Sequence, residues 1–338
     1  MRLLAGPTSI QACLTLVLVV FGVSLLLYIS TSENGSFWQI IWSASSDPTT
    51  YLPYTFGYAA LLQTLHAYEY VSWKNIVVVD NSWDHHAFAE RDRLLAEFKS
   101  LKGVIKTPVH LRFSQLQGMI DGIARGQGEE VYLWGHTDVV VLRNGTAPYA
   151  TMKKCLKFAQ SLDPVFLAPY GVMFFAYDLL SAVFTHASAA APWDPAMPQY
   201  GSDCDRYRRL RLAGYAVADC PISIGSITHT HAVLTHDEKA KLWGSGLKVE
   251  QQVDLLEEIN AASEQYAWRN GAGPKPADGA SVEEEEDWHD GVRQFDLEAA
   301  AAEGSGGNQY YEAKWGPFTC ELEDRIPNFD IDPIRTPH

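Results

Sequence analysis

Residues 131–142 read VYLWGHTDVVVL, two apolar runs rich in β-branched and aromatic side chains around the polar step Gly135-His136-Thr137-Asp138. Runs of this length and composition read as buried strands, and the first breaks open to present an acid. A carboxylate at the end of a buried parallel strand stands at the sheet edge where open α/β folds bind ligands. Asp138 is therefore the first candidate for a metal- or diphosphate-binding residue. The competing reading is that Asp138 starts a turn or caps a helix.

Upstream, Ile76-Val77-Val78-Val79 runs straight into Asp80-Asn81-Ser82-Trp83-Asp84, as expected of a buried parallel strand ending at a polar edge. The apolar spacing predicts helices over 58–72, 87–99 and 113–124, with a second short strand at Gly103-Val104-Ile105. Strand and helix thus alternate as in a doubly wound α/β domain. Downstream, the pattern predicts a helix over 152–160, extended chain over 164–169, a buried strand over 171–176 and a helix over 177–185. A further helix over 206–213 closes on Gly214, where a C-cap glycine belongs, and Asp203 and Asp205 precede it. Beyond Thr228-His229-Thr230-His231 a charged helical stretch reaches about residue 268. The Gly-, Ala-, Pro- and Glu-rich chain to 307 buries too little to order itself, whereas the aromatic YYEAKWG at 310–316 is expected to fold back on the core.

Hydrophobic residues make up 47% of the 338, ample for a full core. The net charge of −15, part of it in EEEED at 283–287, argues against a nucleic-acid binder. Residues 12–29 form a nearly continuous apolar run of membrane-spanning length, longer than the apolar part of a typical cleaved signal peptide. With Arg2 before it, the positive-inside bias places the short N-terminus in the cytosol and the body in the lumen. The sequons Asn34-Gly35-Ser36 and Asn144-Gly145-Thr146 are compatible with that side. Cys13 lies in the run, leaving Cys155, Cys204, Cys220 and Cys320 for up to two disulfides in an oxidising lumen. The expected organisation is an N-terminus and anchor at 1–30, a stem at 31–50, the α/β domain at 51–270, an acidic disordered segment at 271–309 and a docking C-terminal segment at 310–338.

Three acid or histidine clusters thus stand at strand ends: Asp80 with Asp84, His136 with Asp138, and Asp203 with Asp205, followed by His229 and His231. In this arrangement the chain resembles nucleotide-sugar-dependent glycosyltransferases of the GT-A fold, particularly family two and fungal membrane-anchored relatives, over about 54–234 and again at 310–317. The resemblance implies a Rossmann-like mixed sheet with helices on both faces, preceded by one transmembrane helix. VVVDNS stands where the family has VVDDGS, so Asp80 and Asn81 are expected to contact the donor's base and ribose. Gln115 or Gln117 corresponds to a family amide that touches the nucleotide. His136-Thr137-Asp138 occupies the place of the family's DxD metal motif, but with His replacing the first acid. The family often adds a C-terminal His ligand, a role open to His229 or His231 alongside His136 and Asp138. Manganese or magnesium held there would neutralise the departing diphosphate. Asp203 and Asp205 match the place of the inverting general base, with Asp205 preferred by the family's habit of placing the base late in its acidic motif. Lys314 and Trp315 in YYEAKWG correspond to a segment that closes over donor or acceptor, although ordinary packing also explains them.

The resemblance therefore implies a single-pass type II enzyme of the Golgi or endoplasmic reticulum membrane, transferring sugar from a nucleotide-diphosphate sugar to a glycan or glycoconjugate acceptor. Two other readings compete. One is a metal-dependent hydrolase using His136, Asp138, His229 and His231, a ligand set suited to zinc. The other is a non-catalytic relative that binds a glycan or scaffolds other transferases.

Overall fold

The computed structural model describes residues 47–55, 57–142, 147–161, 168–177, 179–197, 201–230, 234–244, 246–262, 311 and 314–315. The expected anchor at 12–29, both sequons and the acidic segment at 271–309 lie outside them. Among the described residues no helix is long and apolar enough to cross a membrane.

In chain order the elements are β1 (Thr50–Tyr54), α1 (Tyr58–Tyr70), β2 (Ile76–Asp80), α2 (His86–Ala89), α3 (Arg91–Glu97), β3 (Leu101–Lys106), α4 (Phe113–Gly126), β4 (Val131–Gly135), β5 (Val139–Leu142) and α5 (Pro148–Ser161). They continue with β6 (Tyr170–Ala176), β7 (Leu180–Phe184), α6 (Thr185–Ser188), α7 (Ser202–Leu212), β8 (Ala216–Asp219), β9 (Ser226–His229), α8 (His236–Gly244) and α9 (Val249–Ala262). Among the described residues, seven strands form one mixed sheet in the order β3-β2-β1-β4-β7-β6-β8, and β5 pairs with β9 in a separate antiparallel ribbon. β1 runs parallel to β2 and β4, and β2 to β3, while β7 is antiparallel to both β4 and β6.

Burial on both faces explains the apolar runs from which these strands are read: β2, β4 and β5 are buried at every position. The helices expected over 58–72 and 113–124 are α1 and α4, and the strands expected at 76–79 and 103–105 are β2 and β3. The helix expected over 87–99 is split into α2 and α3. The helix expected over 177–185 is instead β7, followed by the short α6. Its LSAVF sequence has no vacant helical face to present, because all five residues are buried between β4 and β6. Tertiary pairing overrides local propensity there.

β1 takes in Thr50, inside the stretch expected to be a stem. Trp73 Nε1 donates to Thr50 Oγ1 at 2.8 Å, Asn75 Nδ2 donates to the Asp47 carbonyl at 3.1 Å, and Lys153 pairs with the Asp47 carboxylate. Residues 47–50 are thus tied into the domain.

Parallel strands share a polarity, so the carboxyl ends of β1 to β4 lie at one edge of the sheet, where residues 55, 57, 81–85, 107–112 and 136–138 gather. β8 is parallel to β6, and β6 to β4 through the antiparallel β7. α7 enters β8 from the opposite edge through Gly214, so α7 begins at the same carboxyl edge. That places Asp203 and Asp205 at the rim shared with Asp80 and Asp138.

Candidate active site

Asp138 sits between two imidazoles. His136 Nδ1 stands 3.7 Å from Asp138 Oδ1, and His229 Nδ1 lies 3.2 Å from Asp138 Oδ2. The ribbon brings them together, because Val139 pairs with His229 and the Thr230 N–H donates to the Asp138 carbonyl at 2.8 Å. The turn is anchored below by Thr64 of α1, whose hydroxyl reaches the Thr137 and Val139 carbonyls at 2.7 and 3.1 Å. Asn260 Nδ2 of α9 donates to the His229 carbonyl at 3.2 Å. His136 also packs on Trp134, ring centroids 5.4 Å apart.

Carboxylate oxygen and imidazole nitrogen are donors that a divalent ion accepts. Here, however, the acid's two oxygens are turned to the imidazole Nδ1 atoms. Among the described residues no group of three or more His, Cys, Asp or Glu side chains is arranged to hold a metal. As placed, the trio is a carboxylate flanked by two imidazoles. His231, the fourth expected ligand, lies outside the described residues. Each imidazole that offers Nδ1 to the acid turns its Nε2 away from it, the orientation that suits proton delivery or an N–H bond to an anion.

Asp80 and Asn81, expected to touch the donor, are buried and bonded internally. Asp80 Oδ1 accepts the Ser82 backbone N–H and hydroxyl at 2.9 and 2.6 Å, and Oδ2 accepts the Phe88 N–H at 2.7 Å. Asn81 bonds both backbone groups of Leu111 at 2.8 Å and accepts from the Thr107 hydroxyl at 3.2 Å. These two side chains therefore shape the loops at the carboxyl ends of β2 and β3. Exposed among them is Trp83, which the sequence reading passed over; an aromatic directly after a buried strand end was the available signal.

The two glutamines part company. Gln115 is exposed, its Oε1 accepting the Arg112 N–H at 3.0 Å to close the start of α4. Gln117 is fully buried, and neither of its amide atoms has a hydrogen-bond partner among the described residues. Nearby buried polar atoms share that condition: Ser114 Oγ one turn earlier, Trp193 Nε1 and Arg206 Nη1. Trp193 packs against Phe113 and beneath the Arg206 guanidinium, which lies 4.6 Å from the ring centroid. Buried polar groups ordinarily find partners, so this corner of α4 and α7 is built for polar company.

Asp205 is buried and its oxygens are taken. Arg209 Nε and Nη2 reach Oδ2 at 2.8 and 2.7 Å, while Lys314 Nζ and Trp315 Nε1 both reach Oδ1 at 2.8 Å. Burial pushes the carboxyl up, but the bonds from Lys314, Arg209 and Trp315 hold it below the usual carboxylate range. Such an acid is a poor proton acceptor. Its neighbour Asp203 is half-buried on the same first turn of α7. Lys314 also pairs with Asp194 at 3.1 Å, Trp315 lies under Arg208, and Tyr311 packs with Met197 and Cys204. Tyr311, Lys314 and Trp315, the described residues of the C-terminal segment, thus contact α7 and the chain just before it.

Cys204 is disulfide-bonded, while Cys155 and Cys220, expected as further disulfide candidates, are free thiols. Cys155 and Cys220 hydrogen-bond to one another, and both lie beside the Ile222 carbonyl at 3.9 and 3.2 Å.

No protein-family model matches the chain, and no curated protein matches it significantly. Among solved structures, the chain is similar to S. aureus TarS 1-349, at 11% identity and a TM-score of 0.37, with 80% of this chain and 92% of that chain covered. The same TarS fragment in complex with UDP gives 11% identity and a TM-score of 0.38 over the same coverage. In complex with UDP-GlcNAc it gives 11% identity and 0.36, covering 80% of this chain and 93% of that one.

Proposed function

We propose that the chain is an inverting glycosyltransferase that takes sugar from a nucleotide-diphosphate sugar and passes it to a glycan or glycoconjugate hydroxyl. The observation that carries this reading is the meeting of His136, Asp138 and His229 at the carboxyl edge where α1 also begins. Gly57, at φ 76° in the left-handed region, starts α1 with no side-chain cap. The first-turn amides have no partner within the helix and favour an anion there. A diphosphate between them and the two imidazoles meets N–H donors from both sides.

In the proposed reaction the acceptor hydroxyl attacks the sugar's anomeric carbon and gives its proton to Asp203. The bond from that carbon to the diphosphate oxygen breaks, and His136 and His229, held by Asp138, take up the charge on the leaving group. Asp203 is preferred to Asp205 because the latter's oxygens are already bonded. The type II topology and lumenal body are proposed with it, supported by the apolar run at 12–29 and the two sequons.

The test is thermal shift of the purified protein with a panel of nucleoside-diphosphate sugars, with and without manganese. A stabilising shift with one sugar nucleotide supports the reading, since a ligand bound only by the folded state raises the melting temperature. A shift that appears only with manganese would return an ion to the Asp138 cluster. Zinc retained at purification, with no response to any sugar nucleotide, would favour the hydrolase.

A further inference from the structure

We infer that Trp83, backed by His110, is the platform on which the donor's nucleobase stacks; the inference rests on the nucleotide-sugar reading above. Trp83 is 61% exposed, yet its ring lies parallel to His110, with centroids 4.5 Å apart and planes 12° apart. Exposed tryptophans on loops seldom hold one orientation without support, and here the support is built in layers. His110 Nδ1–H donates to the Asn81 carbonyl at 2.7 Å, fixing the ring that backs the indole. Asn81 in turn clamps Leu111 through both backbone groups, and the Asn81 N–H donates to the Tyr54 carbonyl at 2.7 Å, which ties the loop to β1. Asp80 closes the other side of the turn through Ser82 and Phe88. Two buried polar side chains and a histidine are thus spent on holding one indole flat, with its second face open to solvent.

Position selects the ligand. Trp83 follows β2, whereas the acid–imidazole cluster follows β4, and only β1 lies between them in the sheet. Two strand spacings are about 10 Å, a separation that a nucleoside diphosphate can span from its base to its phosphates, with the start of α1 in the middle. A planar ring that stacks on Trp83 and carries phosphates toward His136 and His229 is a nucleobase. An indole offers a π face that any base can use, which leaves the choice among bases to other groups. This assigns Asp80 and Asn81 a supporting role in place of the direct contact implied by the family resemblance.

The test is calorimetric binding of UDP, GDP, ADP and CDP, and separately of inorganic pyrophosphate, to the full chain and to Trp83→Ala and Trp83→Phe. The diphosphate that binds the unaltered protein should bind Trp83→Ala about tenfold more weakly, the order of loss for one stacked base. Pyrophosphate binding should not change, and Trp83→Phe should recover most of the loss because a ring face returns. Binding should also quench tryptophan emission in the unaltered protein more than in Trp83→Ala. Equal nucleotide affinity in Trp83→Ala would overturn the platform while leaving the donor reading intact. A matching loss for pyrophosphate would show that the substitution disturbs the loop, overturning it as well. Failure of every nucleoside diphosphate to bind the unaltered protein would remove both readings.

Discussion

Trp315 donates its indole N–H to Asp205 at 2.8 Å, joining residues 110 positions apart in the chain. Lys314 reaches the same oxygen, so one buried acid on α7 receives the C-terminal segment. Cutting one partner out of a buried ionic group leaves the others uncompensated, which typically costs about 3–5 kcal/mol. Asp205→Asn should therefore lower unfolding free energy by about that amount in urea titration, with donor affinity little changed. Full stability combined with lost turnover would instead make Asp205 the base.

The same latch sets an acid limit. Asp205 has a folded-state pKa below its unfolded value, so its contribution is present above the unfolded carboxylate pKa of about 3.9 and disappears as pH falls through the folded value. Denaturation at pH 7 and pH 3 should show a smaller loss on acidification for Asp205→Asn than for the unaltered protein. Identical losses would assign the acid response to other carboxylates.

Legibility followed the kind of signal involved. β2, β3 and α4 were readable because burial on both faces, or on one helical stripe, writes a periodicity into the chain itself. β7 was not, since LSAVF is strand only by virtue of β4 and β6 on either side. β1 was hidden by its polar, proline-bearing approach, and its pairing with β2 is invisible in its own five residues. At the site, Asp138 and its histidines were found because strand ends expose their polar residues. What Asp80 and Asn81 bond to was not legible, because their partners Phe88, on α2, and Leu111, after β3, lie outside their own turn. The docking of Lys314 and Trp315 was expected from aromatic density, but the choice of Asp205 as receiver depends on the three-dimensional meeting of α7 with the tail.

Asp138→Asn should keep the fold and weaken nucleotide-diphosphate binding about tenfold or more, because the amide no longer fixes both imidazoles through a charge-assisted contact. His229→Ala should show a comparable loss, as the imidazole within hydrogen-bond distance of the acid, at 3.2 Å. Unchanged calorimetric affinity in both variants would take the cluster out of the donor site.

Topology is tested apart from chemistry. With the apolar run at 12–29 retained and Arg2 on its cytosolic side, protease added to intact microsomes should leave the body whole, and detergent should expose it. Digestion without detergent would place the body in the cytosol and disconnect the two sequons from glycosylation.

Gln117 sets stability against function within one side chain. A buried amide without partners costs about 1–3 kcal/mol, and its replacement by an apolar group of similar size relieves that cost. Gln117→Leu should therefore unfold at a higher urea concentration than the unaltered protein. If the amide meets a hydroxyl of the sugar, the same variant should bind the sugar nucleotide more weakly while binding the bare nucleoside diphosphate equally well. That split distinguishes a ligand contact from a structural one. Gln117→Leu that lost stability would show the amide to be satisfied by solvent in the folded protein, and equal loss for both ligands would move its contact from the sugar to the nucleotide.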